Sequence, residues 1–501
     1  MTWPAAPPLP PAHPVVTTYF GTKVVDPYRY FENLKSPVVQ KFFRSQANYT
    51  NAVLAQLGPG RDALRKDITR LYDAGAIVSW VLPVGDQVFY LDRPAGADEA
   101  RLMVRTIASG SVPRMLVDPD AMPKAAGTNA HYTISSILPS FDGKRVAFTI
   151  VPGGAEDKSV LYVVDVASGT LLSDAVPRAW GGATAWNPDG TSVYYNQHIE
   201  LKPGEPTIDK GRYTKLREHV IGTDAAKDPT LLGSGVDPKV PFAPDDSPAV
   251  YITPGSEWAL AINQHGVQNE ETLYVAPVST LRQTSIPWRK IADIADDVTG
   301  ADLRGNVVYL LNHKGASNYR VTALDLSKSD GTAATATTIV PAGVTVIQQV
   351  SVAKDALYVR GILGGLAQLR KLPWNADGTT GAIQTLALPF AGAISQLATD
   401  PRLDGGILGY TSWTRPELFY PLSASGQIAD TGLRKPPAID TTLYTSMEVH
   451  VPSTGGAMVP LSIVMRKDTK LNGSAPVYLE GYGSYAIDLD QYFLGSRLAW
   501  L

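Results

Sequence analysis

Ser140-Phe-Asp-Gly-Lys-Arg-Val-Ala-Phe148, with Leu161-Tyr-Val-Val164 shortly behind it, sets out the unit from which most of this chain is built. Asp-Gly is a tight-turn pair, and the β-branched and aromatic run after it suits a strand. Asn187-Pro-Asp-Gly190 ahead of Val193-Tyr-Tyr195 repeats the same order. The short apolar strand that runs into a polar turn returns as Leu102-Met-Val104, Leu216-Arg-Glu-His-Val220, Leu273-Tyr-Val275, Tyr319-Arg-Val321, Leu369-Arg-Lys-Leu372 and Leu418-Phe-Tyr420. With Leu161 these make seven occurrences, at steps of 59, 55, 57, 46, 50 and 49 residues. Such a period matches four-stranded propeller blades. Residues 73–440 are therefore expected to form a seven-bladed β-propeller. A pair of β-sandwiches is the competing architecture, and it accounts less well for a sevenfold recurrence.

Helical periodicity is concentrated between residues 36 and 72. Ser36-Pro37 reads as an N-cap followed by proline at the first helical position. Val38, Phe42, Tyr49, Val53 and Leu57 continue a helical stripe, interrupted at Gln46. Gly58-Pro59-Gly60 is expected to end that helix, and Leu64, Ile68 and Leu71 mark a second one. Residues 1–14 form a proline-rich leader, expected to be polyproline II or solvated coil.

A different pattern begins after residue 440. Met447–Val451 and Val459–Met465 read as two strands around a Gly455-Gly456 turn. Val477–Glu480 reads as a third strand, followed by a Gly481-Tyr-Gly483 turn and an apolar helix start at Ser496-Arg-Leu-Ala-Trp-Leu501. Strand, glycine-rich turn and helix in that order suit the opening of an α/β-hydrolase domain. In that fold the nucleophile, the acid and the histidine follow later in the chain. No Gly-x-Ser-x-Gly nucleophile elbow occurs: Gly233-Ser234-Gly235 has the wrong spacing, and Gly315-x-Ser317 lacks the second glycine. The seven histidines (13, 131, 198, 219, 265, 313 and 450) all precede the Val477 strand, so none fits as the late base. The expected fold class is mainly β: a seven-bladed propeller flanked by an N-terminal helical arm and a truncated α/β-hydrolase start.

Composition narrows the chemistry further. Lys plus Arg is 44 and Asp plus Glu is 47, a net charge of −3, which gives no footprint for nucleic acid or an anionic membrane. No apolar run reaches the ~18 residues of a membrane span. Cysteine is absent, which removes disulfides, thiolate metal sites and a cysteine nucleophile. No His-x-x-x-His or His-Glu-x-x-His pair occurs, Asp245-Asp246 and Asp296-Asp297 read as solvated turns, and Gly361–Gly365 lacks the Lys-Ser/Thr ending of a phosphate loop. No metal, nucleotide or other cofactor is expected. The leader lacks the basic start and apolar centre of a secretory signal, so the default expectation is cytoplasmic, or periplasmic if a signal precedes it.

Tyr19-Phe-Gly-Thr-Lys-Val-Val-Asp-Pro-Tyr-Arg-Tyr-Phe-Glu-Asn33 resembles the "DPYRWLE" signature of the prolyl oligopeptidase family of serine peptidases, with Tyr30 and Phe31 where that family usually has Trp-Leu. His313-Lys-Gly-Ala-Ser-Asn-Tyr-Arg320 is similar to one of its propeller strand motifs. Gly481-Tyr-Gly-Ser-Tyr485 resembles its "GYGGF" turn, with Ser484 and Tyr485 replacing glycine and phenylalanine. The resemblance implies a hydrolase domain capped by a propeller that excludes folded proteins, acting on short peptides after proline. It further implies that residues 15–72 are an arm of the hydrolase domain, and that residues 441–501 are its incomplete start. Tyr482 would donate to the oxyanion, and Tyr485 would line the substrate pocket. These residues alone would lack the Ser/Asp/His triad and be inactive. The alternative is a non-catalytic propeller that binds peptides or proteins.

Overall fold

A computed structural model describes residues 3–107, 110–123, 131–428, 430–487 and 489–501. Asp73–Leu494 form one compact unit, built on seven antiparallel meander sheets in chain order. Blade 1 holds Ile77–Val84, Gln87–Arg93, Arg101–Thr106 and Arg114–Val117, and blade 2 holds Tyr132–Pro139, Arg145–Pro152, Val160–Asp165 and Leu171–Pro177. Blade 3 runs through Ala183–Trp186, Ser192–Gln197, Lys215–Val220 and Thr230–Gly233; blade 4 through Asp246–Ile252, Trp258–His265, Glu271–Pro277 and Arg289–Ala292. Blade 5 comprises Val298–Arg304, Val307–Asn312, Arg320–Asp325 and Thr337–Val340. Blade 6 comprises Val346–Val352, Ala356–Leu363, Leu366–Pro373 and Gln384–Leu386, and blade 7 has three strands, Ala393–Ala398, Gly406–Thr411 and Leu418–Leu422. The molecule is a seven-bladed β-propeller.

The recurring apolar segment of the sequence is the third strand of every blade. Its leucine is buried wherever it occurs between blades 1 and 4 and again in blade 6: Leu102, Leu216, Leu273 and Leu369 are 0% exposed and Leu161 is 1%. Each such side chain belongs to a core shared with a neighbouring blade, and seven apolar clusters fill the seven seams. A twisted sheet of four short strands buries too little alone, so blade must stack on blade. Polar staples between the turns of neighbouring blades add direction to this stacking. Arg145 donates to the Gly190 carbonyl at 2.7 Å, Ser256 to that of Gly305 at 2.7 Å, and the Asp302 and Asp355 carboxylates accept from the backbone N–H of Val352 and Gly405, each at 2.7 Å. Gly405 is required there: its φ is +72°, and a Cβ would stand 1.7 Å from the Leu422 carbonyl oxygen.

The seam between blades 7 and 1 differs. Its core is the smallest of the seven, consisting of the buried residues Val78, Val81, Val88, Tyr90, Ile407 and Phe419. The first strand of blade 1 bulges between Ser79 and Leu82, with Trp80 at φ +52°. The Gln396 amide of blade 7 meets the bulge, donating to the Val81 carbonyl at 2.7 Å and accepting from its N–H at 3.3 Å. Arg105 donates to the Thr431 carbonyl at 2.6 Å, and Arg434 to that of Ala76 at 2.9 Å.

Residues 1–72 with 495–501 form a second compact unit. It contains a hairpin, Val15–Tyr19 with Thr22–Asp26, helix α1 (Pro37–Ala55), helix α2 (Gly58–Tyr72) and a terminal 3-10 turn, Gly495–Trp500, that packs on α2. The Asp-Pro-Tyr-Arg signature has a local cause. Asp26 accepts from Tyr28 N–H at 2.9 Å and Arg29 Nε at 3.1 Å, and Arg29 reaches Thr17 at 3.2 Å, so the chain folds back on its hairpin. Phe31 then meets Phe42 of α1 edge-on at 5.2 Å. Three expectations need correcting here. Gly58-Pro59-Gly60 opens α2 instead of separating the helices, because proline without an N–H is tolerated in a first turn. The buried residue of α1 is Val39, whereas Val38 is 53% exposed. Ser36 precedes α1 but makes no side-chain cap bond. In the leader, the Pro11 carbonyl accepts from Tyr30 Oη at 2.8 Å.

Candidate functional site

The chemistry implied for Tyr482 and Tyr485 depends on what holds residues 441–494. Tyr444–Pro452 and Met458–Arg466 pair along their whole length around a turn in which Gly455 and Gly456 have positive φ. Within the hairpin, Ser462 Oγ donates to Glu448 at 2.7 and 2.8 Å. The expected third strand is not there: residues 475–483 have no regular structure, and Val477, Tyr478 and Leu479 are 87%, 83% and 77% exposed. A strand exists through hydrogen bonds to a neighbour, and no described residue offers one to this segment.

The Gly481–Tyr485 turn follows. Tyr482 is 53% exposed and Tyr485 56%, with Tyr485 in the left-handed region at φ +57°. Space around Gly481 and Gly483 is open. Tyr485, Asp490, Gln491 and Phe493 fasten the following segment to one end of the propeller. The Tyr485 carbonyl accepts from Asn269 of blade 4 at 3.0 Å. Asp490 Oδ2 accepts from Arg360 at 3.0 Å and from Gln348 at 3.4 Å, both of blade 6. Gln491, 5% exposed, donates to Glu448 at 3.0 Å and to the Gly365 carbonyl at 3.5 Å. Tyr492 packs against Trp413 at 5.5 Å, and the Phe493 N–H reaches Thr411 Oγ1 of blade 7 at 3.2 Å.

No serine hydroxyl hydrogen-bonds a histidine among the described residues. Four imidazoles instead serve the blades. His219, 1% exposed, lies between two buried carboxylates, with Nε2 2.9 Å from Asp174 and Nδ1 3.0 Å from Asp228. Burial alone would lower its pKa, but the hydrogen bonds to Asp228 and Asp174 outweigh it, and the pKa is raised. Tyr195 Oη also donates to Asp228, at 2.9 Å. Sequence reasoning passed over this cluster, although Arg217-Glu218-His219 inside an apolar strand was the available signal. His198 is 7% exposed, packs at a tilt against Trp180 with ring centroids 4.6 Å apart, has neither nitrogen hydrogen-bonded, and is lowered in pKa by burial. His313 lies in the connection before the third strand of blade 5, not in a strand, and meets Glu270 at 2.9 Å. His265 stands 3.1 Å from Asp246. Asp246 is itself a correction: 8% exposed, it accepts from Ala243 N–H at 2.8 Å and Asn263 at 3.0 Å, so it is a buried anchor and no solvated turn. Among the described residues no group of three or more His, Cys, Asp or Glu is placed to hold a metal ion.

Comparison with known proteins agrees with this architecture. The chain is 21% identical over 484 residues to a prolyl endopeptidase of Elizabethkingia meningoseptica, covering 97% of this chain and 65% of that protein. It is 24% identical over 415 residues to a dual function macrocyclase-peptidase of Galerina marginata (strain CBS 339.88), covering 77% and 52%. A solved structure from a study of two prolyl endopeptidases superposes with a TM-score of 0.83 at 27% identity, over 99% of this chain and 69% of that one. Prolyl oligopeptidase B from Galerina marginata, bound to a 35-residue substrate, shares the fold with a TM-score of 0.81 at 20% identity, over 98% and 70%. The chain thus spans about two thirds or less of these relatives' lengths. Residues 7–429 match the sequence profile of the prolyl oligopeptidase N-terminal beta-propeller domain, and the chain belongs to the prolyl oligopeptidase family.

Proposed function

We propose that these residues are the propeller and the opening of the catalytic domain of a serine peptidase that cleaves short peptides after proline. In this reading residues 15–72 are the arm, 73–440 the propeller and 441–501 the first part of the hydrolase domain. The observation that carries it is the Gly481–Tyr485 turn, which leads directly into a segment fastened to one end of the propeller. Tyr482 is the oxyanion donor: its hydroxyl hydrogen-bonds the oxygen that gains charge as a carbonyl carbon becomes tetrahedral. A preorganised donor of this kind is worth ~10²–10³ in kcat, or ~2.7–4 kcal/mol. Tyr485 lines the pocket beside it. The propeller limits access to segments thin enough to enter and keeps water from the reacting bond.

No Gly-x-Ser-x-Gly elbow and no histidine after the Gly481–Tyr485 turn occur in these 501 residues, so a polypeptide of these residues alone does not hydrolyse peptides. The test uses the protein isolated from its source and carrying this sequence. Cleavage of a Gly-Pro chromogenic peptide, blocked by a serine-directed inhibitor and lowered ~10²–10³-fold by Tyr482→Phe, supports the reading. Peptide binding without cleavage in that preparation would favour the non-catalytic propeller.

A further inference from the structure

The turn that carries Tyr482 makes few contacts of its own. The 14 residues between the hairpin end at Arg466 and Gly481 form no strand, and no atom stands within 4 Å of a Cβ placed on either glycine of the turn. What fixes its place must come from the chain after it. There, three side chains close a triangle. Arg360 Nε donates to Gln348 Oε1 at 3.2 Å, and Arg360 Nη2 and Gln348 Nε2 both donate to Asp490 Oδ2, at 3.0 and 3.4 Å. Gln348 is the bulged residue of the first strand of blade 6, between Ile347 and Gln349 in the register shift, and Arg360 lies on the adjacent strand. Two blade residues, linked to each other by the Arg360 Nε–Gln348 bond, thus present two hydrogen-bond donors to one carboxylate oxygen. The ion pair is well covered, with side-chain exposures of 16% for Arg360 and 30% for Asp490. One residue on, the buried Gln491 ties the same segment to Glu448 of the hairpin and to Gly365 of blade 6.

We propose that Asp490 and Gln491 are positioning residues for the Tyr482 turn, with Arg360, Gln348 and Glu448 as the fixed points that hold them. The propeller then does more than restrict access: through blade 6 it sets where the oxyanion donor stands. The charged pair suits the task, because a carboxylate accepting from a guanidinium and an amide at once has one favoured place. The inference rests on the reading of Tyr482 as the donor, but it makes a claim about position that can fail independently.

A polypeptide of these 501 residues contains no cysteine and takes labels only at introduced positions. Ser484→Cys in the turn and Lys328→Cys on blade 5, both exposed positions, take nitroxide labels, and double electron–electron resonance reads the distance between them. A second pair within the blades, Lys328→Cys with Ser168→Cys, serves as control. The parent should give a single narrow distribution for the turn pair. Asp490→Ala, Asp490→Asn and Gln491→Ala should each broaden it at least twofold and leave the control pair unchanged. The charge exchange Asp490→Arg with Arg360→Asp should narrow it again. A turn distribution that stays narrow in Asp490→Ala and Asp490→Asn overturns the proposal, as does equal broadening of the control pair, which would mean that the blades themselves had loosened. Because this readout is a distance, it stands or falls separately from the effect of Tyr482→Phe on peptide cleavage.

Discussion

Removing the Gln396 side chain amide should weaken the propeller at the seam where it has least to lose. Gln396 exchanges two hydrogen bonds with the Val81 backbone, at 2.7 and 3.3 Å, and Val81 is 0% exposed inside a bulge. An intramolecular hydrogen bond contributes a net ~0.5–1.5 kcal/mol, and a buried group deprived of its partner costs ~1–3 kcal/mol. The longer bond counts for less, and water entering the gap left by alanine recovers part of the loss. Gln396→Ala should therefore lower unfolding free energy by about 2–3 kcal/mol. Urea denaturation measures the loss, and hydrogen exchange locates it: amides of 77–84 and 393–398 should exchange faster, while those of blades 3 to 5 should not. Gln264→Ala, an exposed amide on blade 4, is the control and should change stability by less than about 0.5 kcal/mol. A Gln396→Ala loss no larger than that control, with unchanged exchange at 77–84, would refute the idea that a side chain amide closes the ring.

Three further outcomes are expected. Burial pushes the Glu271 carboxyl up to about 7, and its Oε2 has no hydrogen-bond partner. A raised carboxyl contributes stability below its unfolded pKa of about 4.3 and loses it as pH rises through 7, so Glu271→Gln should gain on wild type over that window. The shift corresponds to at most about 3–4 kcal/mol, and partial exposure of the residue reduces the gain to about 1–2 kcal/mol, measured by urea midpoints at pH 4.5 and 8. His219 works in the same direction: its raised pKa gives stability that is full below about 6.5 and declines as pH climbs through the folded value. His219→Ala removes the imidazole from between two buried carboxylates, leaving Asp228 with Tyr195 and Asp174 with the Gly222 N–H, and should cost about 3–5 kcal/mol in the same assay. In native-state hydrogen exchange, residues 459–465 should exchange faster than the blade strands, because Met458–Arg466 has one strand partner and Met458 and Val459 are 55% and 44% exposed. Protection equal to that of the blades would contradict this.

The propeller was legible because its signal is repetitive. A short apolar third strand bounded by turns, with its leucine buried in five of the seven blades, recurs as often as the blade does, and a period of two cannot be mistaken for a helix over that many repeats. Tertiary interactions were harder to read. The Val477–Glu480 run has strand composition, yet strand identity depends on a neighbour that composition does not reveal. Asp246 read as a solvated turn, and nothing marked the role of His219, because their partners lie 17–19 and 9–45 positions away. Gln348, Arg360, Gln396 and Asp490 carry no motif at all. Their roles come from bulges and loop ends that bring distant segments together, and only geometry shows them. Tyr482 and Tyr485 were found by resemblance, since a Gly-Tyr-Gly turn has no pattern of its own that signals chemistry.

The most direct measurement is hydrolysis of a Gly-Pro chromogenic peptide by a purified polypeptide of these 501 residues, with the folded propeller verified by circular dichroism. No release above the buffer blank is expected on the proposed reading, in which the Tyr482 donor has no nucleophile to serve. Turnover that is abolished by a serine-directed inhibitor would place a working triad inside these residues and contradict the assignment of Tyr482 as their only catalytic group.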